Sequence, residues 1–204
     1  PRKIGEKEYS GGERPEYSGP PQPKATTRCR IVSEHGWADL VGPTVCRTLT
    51  PDEVAVVRGK LGPDPLNADA DPGQFYRAAA KSSRPIGVIL MDQAAISGVG
   101  NIFRAESLYR QKIDPLRPGK TLSDDELRRL WDDNKHLLTI GVRVGRIITT
   151  EQQDRPGIPE TEAWPDHANY VYMRHGQKCP RCSATIRMEE IAGRKLYWCP
   201  GCQK

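Results

Sequence analysis

The sequence predicts a mainly α-helical chain with small β parts, and three observations carry that class. Helix-start signals precede apolar residues that recur with helical spacing, two short stretches alternate apolar with polar residues, and four cysteines fall in two close pairs. The 204 residues suffice for one sizeable domain or two small ones. A mean hydropathy of −0.66 and 36% apolar residues predict a modest core, and 18 prolines with 19 glycines predict long irregular connections.

In chain order, residues 1–27 are polar and rich in Gly and Pro, which reads as a loop or linker. Arg28–Ser33 and Trp37–Val41 alternate as two short strands around Glu34-His35-Gly36. Thr50-Pro51-Asp52-Glu53 opens a helix with an N-cap, a proline in the first turn and a capping-box glutamate, running to about Leu61. Asp71-Pro72 caps a second helix to about Lys81, and Pro85 opens a third through Ile86, Ile89, Leu90 and Ile96. That helix breaks at Ser97-Gly98-Val99-Gly100. Asn101 starts the next, with Ile102, Ala105, Leu108 and Tyr109 inward and Arg104 and Arg110 outward. A further capping box, Ser123 to Glu126, leads a long helix whose buried face is Leu127, Leu130, Trp131, Leu137 and Leu138. Residues 151–169 lack periodicity and read as a loop, and residues 170–204 as a separate β module.

The cysteine pairs are Cys179-x2-Cys182 and Cys199-x2-Cys202. Each knuckle bends two thiolates onto one ion, and two knuckles complete a tetrahedral sulfur shell with no position left for water. The expected cofactor is therefore one structural zinc ion. Disulfides are the alternative, disfavoured by an intracellular setting. Metal supplies the folding energy of so small a module, so chelation is expected to melt residues 170–204 and spare the helical part. Cys29 and Cys46 fit no ligand spacing and are expected to be buried thiols.

Charge is distributed unevenly. The net charge is +5, and residues 170–204 hold seven Lys/Arg against two Glu, so this stretch carries the whole excess. Within it, the alternating segment turns at Ala192-Gly193-Arg194, placing Arg194 on a hairpin tip where a planar guanidinium suits phosphate. A solvated turn arginine is the plainer alternative. The second anion-binding candidate is Gly98 to Ile102. Gly98 and Gly100 permit a tight turn and close approach, and Asn101 and Ile102 begin a helix whose free N–H groups and dipole favour phosphate. Asn101 is expected to cap that helix and to donate its amide to a phosphate oxygen. A capped corner with no ligand is the alternative for this motif alone.

The three signals occur together in one chain. MDQAAISGVGNIFRAESLYRQKIDP (91–115) resembles the helix-two-turns-helix signature of the formamidopyrimidine-DNA glycosylase and endonuclease VIII family. VYMRHGQKCPRC (171–182) and IAGRKLYWCPGCQ (191–203) resemble its C-terminal zinc finger. The resemblance implies a linker and remnant of a β-sandwich catalytic domain over 1–49 and a helix-two-turns-helix domain over 50–150. A loop over 151–169 and a zinc finger over 170–204 follow. It further implies base-excision repair, with excision of oxidised bases and cleavage at the abasic site. The implied partner is damaged double-stranded DNA, gripped by Asn101 and its turn and by Arg194, with Tyr172 and Arg174 at the loop-to-finger junction. A monomer in the cytoplasm, associated with the nucleoid, is expected.

One departure stands out. The family begins Pro-Glu-Gly, and its proline amine, its glutamate and a downstream hairpin lysine perform the chemistry. Here Pro1-Arg2-Lys3 stands instead. No catalytic residue is therefore assigned, most of the sandwich is expected to be missing, and Pro1 is expected not to act as a nucleophile. The lone hairpin of residues 28–41 is expected to exchange its amides quickly or to associate. A non-catalytic binder of damaged or abasic DNA is the alternative to the enzyme. A zinc-ribbon protein for RNA or partner proteins is a third reading, which the glycine turn and its helix oppose. No membrane partner is expected, because the longest apolar stretch, Ile86 to Met91, is too short to span a bilayer and no signal-peptide pattern opens the chain.

Overall fold

The computed structural model describes residues 18–43 and 45–204, so the expectation for Pro1 to Lys3 lies outside the described residues. The chain forms two compact units that divide between Val54 and Ala55.

In the first unit, strands β1 (Thr27–Ser33) and β2 (Gly36–Val41) pair antiparallel, with Arg30 opposite Asp39. These two side chains form an ion pair at 2.6 Å. Ile31, Val32, Leu40 and Val41 are all exposed. Cys29 and Cys46 are exposed as well, which corrects the expectation of buried thiols: the two-stranded sheet encloses no interior in which to bury them. Helix α1 (Pro51–Arg58) begins with the reciprocal capping box, Thr50 N–H to Glu53 Oε2 at 2.9 Å and Glu53 N–H to Thr50 Oγ1 at 3.3 Å. It ends short of Leu61, because Lys60 and Leu61 turn back onto the carbonyls of Val57 and Arg58.

The second unit holds α2 (Gly73–Ala80), α3 (Ile86–Ile89), α4 (Asn101–Arg110), α5 (Asp124–Val144), β3 (Arg187–Ile191) and β4 (Arg194–Trp198). The helix expected from Pro85 to Ile96 stops after one turn. Asp92 Oδ1 accepts the Ala94 N–H at 3.1 Å, while the Gln93 amide donates to Val99 O at 2.9 Å and accepts from Gly98 N–H at 3.0 Å. Polar side chains thus satisfy backbone groups that a continuing helix would use. The apolar residues keep their burial, since Ile86, Ile89, Leu90 and Ile96 all reach zero exposure in a core with Phe75, Leu108 and Leu127. No helix of the described residues is long and apolar enough to cross a membrane.

Helix α5 starts at Ser123 with a complete capping box. Its Glu126 also receives a forked contact from Arg117, at 2.7 and 3.1 Å. The Arg117 hydrogen bonds, above all other causes, hold the Glu126 carboxyl down at about 2, against an ordinary 4.5. A depressed carboxylate stabilises the fold above its unfolded value and loses that contribution as pH falls toward the folded one. With about a fifth of the side chain in water, we expect Glu126→Gln to cost about 1–2 kcal/mol at pH 7. Thermal melts of the two proteins should draw together as the pH falls from about 5 toward 2. A gap that stays constant over that range would refute the assignment.

The last 35 residues do not stand apart from the helices. Ala105 and Tyr109 of α4 share a core with Tyr170, Val171, Ile186, Tyr197 and two of the cysteines, and the rings of Tyr109 and Tyr170 stack at 4.9 Å. The carboxylate of Glu106, fully buried on the same helix, accepts the backbone N–H groups of Tyr170, Val171 and Tyr172 at 2.7–2.8 Å and the Thr149 hydroxyl at 2.6 Å. Burial pushes this carboxyl toward its protonated form, and the four donors oppose that shift. A separate β module was expected; the hairpin instead takes α4 as one wall of its interior.

Candidate nucleic-acid interface and metal centre

The four sulfurs of Cys179, Cys182, Cys199 and Cys202 all lie within 4.8 Å of one another. Cys182 Sγ is 3.3 Å from Cys199 Sγ and Cys179 Sγ is 3.7 Å from Cys202 Sγ, so each close pair takes one sulfur from either knuckle. Four thiol donors around one point fit a single zinc ion and leave no open position, which makes the metal structural. The second knuckle is tied to the helical part by Gln203, whose Oε1 accepts the Cys199 N–H at 2.8 Å and whose Nε2 donates to Ile113 O at 3.0 Å. From the first knuckle, Arg181 reaches Asp154 Oδ2 at 2.8 Å and lies over the Tyr170 ring at 4.6 Å, fastening the loop after α5 to the metal site.

Between the knuckles, β3 and β4 pair from Arg187↔Trp198 to Ile191↔Arg194. The chain reverses at Ala192 and Gly193, with φ of 52° and 71°, the two-residue turn whose twist matches a hairpin. Arg194 therefore emerges exposed at the first position of β4, with no ion-pair partner among the described residues.

The glycine turn lies against this hairpin. Gly98 adopts φ 84°, a left-handed conformation that a side chain would strain. Gly100 has ordinary extended geometry, and a Cβ placed on it would meet nothing within 4 Å. Among the described residues nothing occupies that space, which leaves it open to a group from outside. Gly100, not Asn101, is the N-cap of α4, because Asn101 already has helical geometry. The first helical bond runs from Arg104 N–H to Gly100 O at 2.9 Å, so the N–H groups of Asn101, Ile102 and Phe103 precede it. Ile102 is half-buried. The Asn101 side chain points across the chain: its Nδ2 donates to Lys195 O at 3.0 Å, 94 residues away. The helix start and the hairpin tip are thus one continuous surface.

Of Arg104 and Arg110, both expected to face outward, Arg104 is buried and Arg110 half-buried, because the hairpin and α5 cover their side of α4. Arg110 pairs with Asp133 at 2.9 Å, and Arg104 donates to Gly87 O at 3.2 Å, to Lys195 O at 3.3 Å and to Asn101 Oδ1. Tyr172 and Arg174 act within the fold. The Tyr172 ring meets Tyr197 edge-on at 5.3 Å, and Arg174 braces Tyr170 O at 2.8 Å. Sequence reasoning missed Arg104, Glu106, Arg181 and Gln203. Only Glu106 left a signal, as an acid set between the inward-facing Ala105 and Leu108.

The family description "Formamidopyrimidine-DNA glycosylase H2TH domain" matches residues 61–153, and "Zinc finger found in FPG and IleRS" matches residues 176–204. The endonuclease 8 1 of Mycobacterium tuberculosis is 43% identical over 184 residues, which span 90% of this chain and 68% of that protein. The formamidopyrimidine-DNA glycosylase of Thermus thermophilus is 38% identical over 150 residues, 71% of this chain and 54% of that protein. Among solved structures, the Thermus thermophilus MutM (FPG) protein superposes with a TM-score of 0.67 at 30% identity, over 91% of this chain and 71% of the other. The Lactococcus lactis FPG bound to Fapy-dG-containing DNA superposes with a TM-score of 0.60 at 29% identity, over 76% of this chain and 56% of the other. The two matched domains, with 43% identity over 90% of this chain and 68% of the Mycobacterium tuberculosis protein, place the protein in the formamidopyrimidine-DNA glycosylase and endonuclease VIII family.

Proposed function

We propose that this chain grips the phosphate backbone of damaged double-stranded DNA for a base-excision glycosylase and abasic-site lyase that removes oxidised bases. The observation that carries the proposal is the join between the α4 start and the hairpin tip through Asn101 and Lys195. It sets helix N–H donors, an amide and the exposed Arg194 side by side, next to the space left open at Gly100. Backbone donors at a helix start and a guanidinium are suited to phosphate oxygens, which position a protein on a duplex without reading sequence. Gripping both sides of a lesion favours extrusion of the damaged nucleotide, which chemistry on a base requires. The site itself supplies donors and positive charge. The Lactococcus lactis relatives were solved on DNA carrying Fapy-dG or an abasic site, which supports the same class of partner. On this reading the protein works as a monomer in the cytoplasm, at the nucleoid.

We expect Asn101→Ala and Arg194→Ala each to weaken binding to an abasic-site duplex by about 1–3 kcal/mol. Arg194→Ala should also flatten the dependence of log K on log salt by about one phosphate's worth. Titration by fluorescence anisotropy at several salt concentrations measures both, and unchanged affinity in the two variants would remove the proposal.

A further inference from the structure

Helix α4 carries a charge that its surroundings do not balance. Arg104 is 1% exposed, yet no carboxylate among the described residues pairs with it. The helix's other covered arginine, the half-buried Arg110, has Asp133 as its counter-ion. Arg104 spends its donors on neutral oxygens instead, the carbonyls of Gly87 and Lys195 and the amide oxygen of Asn101, and its Nε finds no acceptor. Burying a cation without a counter-ion is costly. Burial, and then the neighbouring Arg194 guanidinium, bring Arg104 down to about 10, which still leaves it charged at neutral pH. Two guanidinium groups and a helix N-terminus therefore converge with no acid between them.

The same contacts dictate how Asn101 is turned. A guanidinium only donates, so the Asn101 oxygen faces Arg104; a carbonyl only accepts, so the Asn101 nitrogen faces Lys195. One amide hydrogen holds the hairpin tip, and the second is left for another acceptor. Rotating the amide would set donor against donor on one side and oxygen against oxygen on the other.

We propose that Arg104 is a positioning residue for DNA: it locks the donor orientation of Asn101, ties that side chain to the hairpin tip through Lys195, and supplies a buried positive charge whose counter-ion is a phosphate of the bound duplex. This rests on the DNA-gripping function proposed above. Neither Asn101 nor Arg194 alone accounts for the missing acid beside Arg104, so the inference adds a second cation to the grip and makes the three residues interdependent.

The test is a double-mutant cycle on the zinc-loaded chain, with a short duplex carrying a tetrahydrofuran abasic-site analogue. Arg104→Met removes the charge at similar length. We expect one zinc per chain and a cooperative melt to be retained, affinity to fall at least about tenfold, and the salt slope to flatten by about one phosphate. Arg104→Lys keeps the charge and loses the fork; affinity should fall while the salt slope is kept. Because Arg104 acts partly through Asn101, Arg104→Met should cost clearly less on an Asn101→Ala background than in the wild-type chain, and the part that remains should carry the one-phosphate change in salt slope. Wild-type binding by Arg104→Met, effects that multiply independently, or loss of zinc and cooperative melting in both Arg104 variants would each overturn the inference. If Asn101→Ala and Arg194→Ala themselves bind normally, the DNA-gripping reading has failed. If they bind weakly and Arg104→Met does not, only the role of Arg104 has.

Discussion

Stripping the zinc with a strong chelator is expected to abolish DNA binding and to unfold the hairpin together with the finger-facing side of α4. Structural zinc in small finger modules contributes an apparent 10–16 kcal/mol, roughly, at neutral pH, far more than a hairpin of this size recovers from packing. Without the ion, four sulfurs within 4.8 Å of one another lose the charge that holds them together. The core built from Ala105, Tyr109, Tyr170, Val171, Ile186 and Tyr197 then has no floor. The core around Phe75, Ile86, Leu90 and Leu127 is a different cluster and should persist, so circular dichroism should retain most of its helical signal. Hydrogen exchange should rise over residues 170–204 and also at Ala105 and Tyr109, which goes beyond melting of the hairpin alone. Cys199→Ser should reproduce the effect. A chelated protein that keeps slow exchange in the hairpin and binds DNA would contradict the assignment.

Glu106→Ala is expected to be the most damaging single substitution outside the cysteines. It removes one carboxylate and leaves three consecutive backbone N–H groups and the Thr149 hydroxyl without that acceptor. Each buried donor left unmade costs about 1–3 kcal/mol, so the whole should reach about 3–5 kcal/mol after relaxation. For a chain of this size that lowers Tm by roughly 8–15 °C. Glu106→Gln is nearly isosteric but turns one acceptor oxygen into a donor facing donors, so it should recover little of the loss. Differential scanning calorimetry of the zinc-loaded variants decides the matter, and a Tm within a degree or two of wild type would show that the backbone finds other acceptors. Thr149→Val offers a control, since it removes one donor from the cluster and leaves the carboxylate its three backbone partners.

The local features were legible from the sequence because their physics is local. Capping boxes at Thr50 and Ser123, the turn at Ala192-Gly193 and the knuckle spacing each depend on residues a few positions apart, and each appears in the structure. The exceptions depend on chain that lies far away. Ile86 to Ile96 has helical spacing and is buried, but Asp92 and Gln93 redirect the backbone into turns while the same residues stay inside. Arg104 and Arg110 looked solvent-facing because charged residues usually are. What covers them comes from β4 and α5, and helical periodicity carries no information about elements that distant. Asn101 was expected to cap α4; Gly100 caps it instead, and the Asn101 amide donates to the hairpin.

The bond from Asn101 to Lys195 also has a consequence for timing. Contacts between residues 94 positions apart form late, after nearby helices have closed their short loops. During synthesis α4 emerges well before the hairpin strand that completes its surface, and the four-sulfur site is complete only once Cys199 and Cys202 have followed that strand. A partly folded chain therefore has a helical core but lacks the joined grip. On the proposed function, it acquires its hold on DNA in one late step, when the zinc-bound tip docks.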